Sequence, residues 1–463
     1  MFVTSVKEYM EEDLIMYNIK VEFDKITGKI KPMNAVNNMP VLPRNCDNIY
    51  ERIQEANIPY CRLHDTGGDF GGTHYVDINN VFPNFDADEN DPESYDFAFT
   101  DAHLCEMTRY GVKPFYRLGT TIENDRDIKP YNIYPPKDNH KWARICEMII
   151  RHYNEGWADG YHMDIEHWEI WNEPDNFPDI EDNQMWLGTE EGYFELYKTA
   201  SLHLKKCFPN LKIGGYGSCG FYALSDTDVS ETAASSPRFE YFIEFFFRFL
   251  EYVRENSLPL DFFSWHSYAG VKDNIEYAKY AREKLDEYGF KDCEVYLNEW
   301  NPGTNDRGTV KDASNILSMM CALQNTPTDM CMYYNLRLYS TFCGLFNPLN
   351  RDVFPAYYAF YYFGKLLALE NQIECICDYE DIYALAAKKN DNIGIIIVNN
   401  KNESIDVNLL GANLSGAECF STDEDKTNVN EKLEKNLISM PPYGLKFIII
   451  KKHKTVLQQS NAK

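Results

Sequence analysis

The sequence predicts an α/β fold: a (β/α)8 TIM barrel carrying an accessory antiparallel β-sandwich. Three observations lead there. Between residues 29 and 370, short apolar stretches alternate eight times with stretches of helical period. Strand after strand ends in polar side chains, which a barrel gathers at one face and an open doubly wound sheet would spread along an edge. After Leu369 the texture changes to short β-rich segments separated by Asn, Asp, Lys and Gly.

Taken in order, the barrel strands are expected at 29–36, 58–65, 112–119, 167–174, 211–217, 260–268, 294–301 and 329–337. The helices fall at 47–56, 97–110, 138–153, 190–207, 238–256, 273–289, 311–325 and 355–369. The accessory strands fall at 372–378, 382–388, 393–399, 404–410, 416–421 and 444–451, and the alternating segment Met16 to Phe23 is expected to join them. The barrel then occupies 29–370 and the sandwich 1–28 plus 371–463, with the polar end 452–463 frayed.

The 463 residues suit one large domain and a smaller one. The 33 Tyr, 28 Phe and 7 Trp fill a large core, and the same rings line carbohydrate clefts. A net charge of −27 opposes nucleic-acid binding, which needs clustered Lys and Arg. The 13 cysteines include no CxxC pair, so neither a zinc ribbon nor a disulfide framework is indicated. Cys61, Cys105, Cys146 and Cys331 read as small core residues in a reducing compartment. No stretch is long and apolar enough to span a membrane, and the first residues lack the pattern of a signal peptide. A cytoplasmic protein is the expectation, with a homo-oligomer open because the β domain offers a surface for assembly.

Chemistry concentrates at two strand ends. Trp168-Glu169-Ile170-Trp171 is an apolar run, and Asn172 and Glu173 appear where Pro174 forbids the strand to continue. A carboxylate in that poorly solvated place should have a raised pKa, as a general acid near neutral pH requires. Val295 to Leu297 delivers Asn298 and Glu299 in the same way, followed by Trp300 and stopped by Pro302 and Gly303. A single Glu at a strand end is ordinarily a salt bridge or a rim residue. Two in matching Asn/Trp/Pro surroundings, on strands four and seven, face each other across a barrel mouth. Such a pair, at roughly 5–5.5 Å, works as acid/base and nucleophile in a retaining glycosidase, and a wider gap gives inversion.

Trp171-Asn172-Glu173-Pro174 with Asn298-Glu299-Trp300-Asn301 resembles glycoside hydrolase clan A, and within it family 39, the β-xylosidase and α-L-iduronidase group. Tyr95-Asp96-Phe97, Gly111 to Phe115, Pro135 to Asp138, Arg62-Leu63-His64 and Pro355 to Phe360 extend the resemblance over roughly 30–370. It implies a barrel with a β-sandwich, Glu173 as acid/base and Glu299 as nucleophile. It further implies that Asn172 bonds the sugar 2-OH, that Arg62 keeps the nucleophile ionised, that His64 contacts the glycone, and that His266 and Tyr268 lie beside the nucleophile. The expected division has a cation near Glu299 lowering its pKa while Glu173 stays protonated.

On strand eight the chain departs from the xylosidases of the family, which carry Trp in a Ser-Tyr-Trp-Thr-like run. Here the stretch is Met332-Tyr333-Tyr334-Asn335-Leu336-Arg337. Tyr334 and Trp300 remain aromatic candidates for sugar contact. Arg117 and Arg337 are extra cations, suited either to a uronate carboxylate or to acidic neighbours such as Glu123 or Asp352. Gly215-Tyr216-Gly217-Ser218-Cys219-Gly220 fits GxGxxG, but the residues that follow lack helical period, so a dinucleotide site fails its context. Asp86 to Asn90 starts like a calcium loop and lacks its sixth-position Gly. No metal or cofactor is expected. The expected function is a retaining exo-glycosidase on small oligosaccharides or glycosides, β-xylosides ahead of α-L-arabinosides. A uronosidase, with Arg117 or Arg337 in the pocket, and a non-catalytic carbohydrate-binding barrel are the alternatives.

Overall fold

The structure, a computed structural model, describes residues 16–41, 47–66, 75–123, 131–225, 237–411 and 413–451, so the expected fraying at 452–463 lies outside it. Two compact units result: one runs from Ile30 to Ala368, and the other joins the chain up to Lys29 with that from Leu369 onward.

In the second unit, β1 (Met16–Lys29) joins β10 (Asn371–Ile376), β11 (Ile382–Lys389), β12 (Asn392–Asn399), β13 (Ile405–Leu410), β14 (Glu418–Thr422), β15 (Val429–Lys432), β16 (Leu437–Met440) and β17 (Leu445–Lys451). They make one nine-stranded sheet, ordered β15-β14-β17-β12-β11-β10-β1-β13-β16. Ile19 of β1, Ile397 of β12, Val407 of β13, Ile438 of β16 and Ile448 of β17 share one buried core. That core lies along one face of the sheet, built from the inward residues of successive strands. One pairing departs from the antiparallel expectation. β1 lies antiparallel to β10 but parallel to β13, because it inserts between them from the other end of the chain. β15 and β16 escape sequence patterning because Val429-Asn430-Glu431-Lys432 and Leu437-Ile438-Ser439-Met440 are four residues each, with little apolar alternation in the first.

The first unit is a closed barrel of eight parallel strands: β2 (Ala35–Asn37), β3 (Tyr60–Leu63), β4 (Lys113–Leu118), β5 (His167–Ile170), β6 (Lys212–Ser218), β7 (Phe262–Ser267), β8 (Glu294–Trp300) and β9 (Met330–Tyr333). Around it run α1 (Asp47–Glu55), the single-turn α2 (Ile78–Val81), α3 (Ala98–Arg109), α4 (Asn139–Glu155), α5 (Glu190–Cys207), α6 (Pro237–Glu255), α7 (Val271–Glu287), α8 (Val310–Gln324) and α9 (Pro355–Leu367). Asp138 and Thr189 cap α4 and α5 by accepting from backbone amides of the first turn. Among the described residues, no helix is long and apolar enough to cross a membrane.

The two-residue period of the strands sorts inward side chains into layers. Ala35, Phe115, Phe262, Tyr296, Met330 and Met332 pack with Tyr60 in an apolar lower layer. Two residues further along the same strands come Asn37, Arg62, Ser264 and Asn298, with Glu169 two beyond His167, and all five are fully buried. Two further on, β3 and β7 deliver His64 and His266. The barrel is thus apolar below, polar and tightly bonded in the middle, and open above.

Candidate active site

The middle layer is built around Arg62. Its Nε donates to Glu169 Oε2 at 2.7 Å, its Nη1 to Glu299 Oε2 at 3.3 Å, and its Nη2 to Asn172 Oδ1. Glu169 Oε1 accepts from Ser264 Oγ and Asn298 Nδ2, both at 2.6 Å. A buried charge is tolerable only when paired and hydrogen-bonded, and this pair is both. Burial works against Arg62's charge, and Glu169 and Glu299 outweigh it, raising its pKa. Glu169 is a site residue that the sequence reading passed over. Its signal was a carboxylate amid the apolar run from Trp168 to Trp171.

Two local irregularities bring the outer carboxylates together. Between β7 and β8 the register shifts, so Leu297 pairs with Trp265 while Glu299 pairs with His266. A bulge of this kind re-aims a side chain. Asn298 and Glu299 both serve the interior, and Trp300 turns outward, where it meets Tyr333 edge-on at 5.5 Å. On the β5 side, Trp171 and Glu173 have φ of 72° and 44°. Non-glycine residues in that region cost of order 1–3 kcal/mol each and persist where the surroundings fix them. Here Trp171 N donates to Leu118 O at 2.7 Å, and Glu173 N to Tyr216 O and Gly217 O, each at 3.1 Å.

Glu173, His266 and Glu299 consequently converge, with one donor atom of each lying within 4.8 Å of the others. His266 Nδ1 is 2.6 Å from Glu173 Oε1 and 3.8 Å from Glu299 Oε2. Tyr268 Oη donates to Glu299 Oε1 at 2.7 Å, and Asn176 Nδ2 to Glu173 Oε2 at 3.0 Å. Gly217 closes the floor. At φ +64°, a Cβ there would come 3.1 Å from His266 Nε2, 3.2 Å from Arg62 Nη2 and 3.3 Å from Asn172 Oδ1. The glycine run rejected as a dinucleotide motif supplies this close approach instead.

The two carboxyl shifts run opposite to the expected division. Burial pushes the Glu173 carboxyl up, but the hydrogen bond and charge of His266 outweigh it and hold it below its ordinary value. Glu299 is pushed up by burial, more than His266 and Arg62 pull it down. Burial disfavours charge on His266, yet Glu299 and the bond to Glu173 raise its pKa. The geometric cause is that His266 Nδ1 contacts Glu173 at 2.6 Å, more closely than Arg62, at 3.3 Å, contacts Glu299. Asp175, next to Glu173, is raised to about 7 by burial and then by Glu173's charge.

Above this cluster opens a cavity of about 780 Å³ lined by His64, Asp65, Thr121, Ile122, Glu173, Tyr268, Glu299, Tyr334, Arg337 and the segment 339–342. Tyr334 Oη donates to Asp65 Oδ2 at 2.7 Å, and Arg337 Nη1 to Asp65 O at 3.1 Å. Of the predicted residues, Arg62, His64, Asn172, Glu173, His266, Tyr268, Glu299, Tyr334 and Arg337 are thus gathered in or just beneath the cavity. Two are not. Trp300 is fully buried behind the wall, for the register reason given above. Arg117 is fully buried too, and its partner is Asp77, at 2.7 Å, rather than Glu123 or a ligand. Asp77 also accepts from Thr121 N at 2.8 Å, so Arg117 anchors the loop that brings Thr121 to the cavity. Glu123 instead accepts from the backbone amides of Tyr131 and Asn132, and Asp352 from Asn350 Nδ2. Asp65, Asn176 and Asp77 were missed because nothing in their local sequence marks them.

Comparison with known proteins agrees with this architecture. Over 381 residues, 73% of this chain and 72% of the relative, the sequence is 26% identical to a β-xylosidase of Caldicellulosiruptor saccharolyticus. A glucosidase of Croceicoccus marinus superposes with a TM-score of 0.74 at 19% identity, covering 95% of this chain and 99% of that one. A monomeric β-xylosidase of Caulobacter crescentus CB15 superposes with a TM-score of 0.67 at 15% identity, covering 94% and 99%. The sequence profile of family 39 matches residues 44–462. With that match over most of its length, and with the barrel and its paired carboxylates in place, the chain belongs to the glycosyl hydrolases of family 39.

Proposed function

We propose that this glycoside hydrolase is a retaining, exo-acting β-xylosidase. The observation that carries the stereochemical part is the approach of Glu173 and Glu299, whose nearest oxygens fall within 4.8 Å. Inversion needs a water between carboxyl groups some 6.5–9.5 Å apart, whereas retention works at roughly 5–5.5 Å. Exo action is supported by the wall that Tyr334 and Arg337 build on Asp65. The xyloside preference rests on the β-xylosidase relative, and α-L-arabinosides come second because they share the relevant anomeric geometry. Twelve described cysteines are all free, which supports a reducing compartment such as the cytoplasm.

In this reading Glu299 attacks the anomeric carbon, and the bond to the leaving oxygen breaks as Glu173 protonates that oxygen. Asn172, its Oδ1 occupied by Arg62, turns its amide nitrogen to the sugar. One proton serves the cluster. Carried by His266 Nδ1, it would reach Glu173 Oε1 along the 2.6 Å hydrogen bond and make the acid without any exchange with solvent. In the second half, Glu173 takes a proton from water, the hydroxide oxygen bonds to the anomeric carbon, and the Glu299 ester bond breaks.

Anomer-resolved NMR over a panel of aryl glycosides tests this. The β-xyloside should be turned over fastest, with β-xylose the first product, and α-xylose first would refute retention. In Glu299→Ala, turnover should vanish and azide should restore it as an inverted glycosyl azide. The uronoside alternative keeps one supporting observation, the presence of Arg337 in the cavity lining. Faster turnover of an iduronide than of the xyloside, abolished by Arg337→Met, would favour it.

A further inference from the structure

A second convergence of donor groups lies on the outer helices, among residues to which the reaction assigns no part. Glu147 of α4 and His203 and Cys207 of α5 each offer one donor atom within 4.8 Å of the other two. His203 and Cys207 are four residues apart on one helix, hence on one face. His203 Nε2 is 2.6 Å from Glu147 Oε2 and 3.9 Å from Cys207 Sγ. Around a tetrahedral Zn²⁺ with bonds of about 2.0–2.3 Å, neighbouring donors stand roughly 3.3–3.6 Å apart. The His–Cys spacing is within a few tenths of an ångström of that, and the Glu–His spacing reaches it by a small turn of the carboxylate.

We propose that Glu147, His203 and Cys207 form a binding site for Zn²⁺ bridging α4 and α5, with water completing the coordination. One carboxylate, one imidazole and one thiolate select zinc over Mg²⁺ or Ca²⁺, which take oxygen donors. Cys207 is the last residue of α5, where the helix dipole favours a cation. The side chains of His203 and Glu147 keep 29% and 17% of their exposure, which leaves a path for the ion and its water. Lys206 acts on Cys207 as one opposing charge, and Arg151, 2.8 Å from Glu147 Oε1, is the other. Arg151 is answered elsewhere, by an ion pair to Glu155 and by the Phe208 ring at 5.1 Å. Metal binding forms the sulfur–metal bond and releases the Cys207 thiol proton to solvent.

The test is titration of the full chain with Zn²⁺ and with Co²⁺ as its spectroscopic stand-in. The expected result is a Co²⁺ complex with a thiolate-to-metal charge-transfer band, displaced by one equivalent of Zn²⁺ and untouched by excess Mg²⁺. Cys207→Ser should abolish the band, and His203→Ala should weaken binding at least tenfold, each leaving glycoside turnover intact. Glu173, His266 and Glu299 also present three donors, but without sulfur, so metal held there gives no such band. Binding without the band, no binding, or a band that survives Cys207→Ser overturns the proposal.

Discussion

Neutralising Glu299 should loosen the last proton of the cluster that Glu173, His266 and Glu299 form. In Glu299→Gln the side chain keeps its shape and loses a negative charge whose nearest oxygen lies within 4.8 Å of Glu173. Coulomb's law at that separation, with an effective dielectric constant of about 20, gives ~3.5 kcal/mol, or about 2.5 pH units. The two side chains are only 15% and 9% exposed, so solvent screening removes little of this. The sign does not depend on which group carries the proton. On Glu173 it is held because ionisation would set two carboxylates side by side. On His266 it is held because Glu299 Oε2, 3.8 Å from Nδ1, attracts the imidazolium. Both holds vanish in the variant, so deprotonation should move to lower pH by about 1–2.5 units. Following the His266 ring by ¹⁵N NMR and the Glu173 carboxyl by ¹³C NMR, in both proteins, measures it without turnover. An unchanged or raised midpoint would refute the coupling. In the proposed double displacement, esterification of Glu299 would remove the same charge, so the step that forms the glycosyl-enzyme would also turn Glu173 from acid to base.

Three further outcomes are expected. Gly217→Ala places a methyl against His266, Arg62 and Asn172 at φ +64°, so kcat should fall well beyond any change in KM, with Tm lowered as well. Tyr268→Phe removes a hydrogen bond to the charged Glu299, typically about 1.5–3 kcal/mol, and kcat/KM for the xyloside should drop on the order of 10–150-fold with the fold intact by circular dichroism. Arg62→Met strands Glu169 in the barrel interior and should cost about 3–5 kcal/mol, seen as a fall in Tm. Arg62→Met/Glu169→Met should recover part of that loss, and a double variant less stable than the single would refute the pairing.

The barrel was legible because its signal is repetitive. Seven of the eight strands fall where short apolar runs end in polar residues, since parallel strands buried on both faces must be apolar until they reach the mouth. The first strand was misplaced, at 29–36 against Ala35–Asn37, because Lys29 belongs to the long β1 of the other sheet. Composition cannot divide a chain where one strand passes directly into a second unit. The convergence of Glu173 and Glu299 was legible for a related reason: Asn-Glu at a strand end, twice, is a costly pattern for a buried barrel strand.

What stayed hidden depends on register rather than composition. Strict alternation from Tyr296 and Asn298 would aim Trp300 into the cleft and Glu299 out of it, and the sequence reading accepted both as site residues. The shift between β7 and β8 sends Glu299 in and leaves Trp300 behind the wall, and no local propensity records it. The directions of the two carboxyl shifts were hidden in the same way. Arg62 and His266 were both recognised, but only their distances decide which carboxylate each one serves. Arg62 spends its closest contact, 2.7 Å, on Glu169 and reaches Glu299 at 3.3 Å, while His266 sits 2.6 Å from Glu173. A third carboxylate buried two residues before the strand's end thus takes part of the charge that the sequence assigned to the nucleophile. The histidine that two glutamates share, 2.6 Å from Glu173 and 3.8 Å from Glu299, then sets which carboxyl is held down and which is left raised by burial.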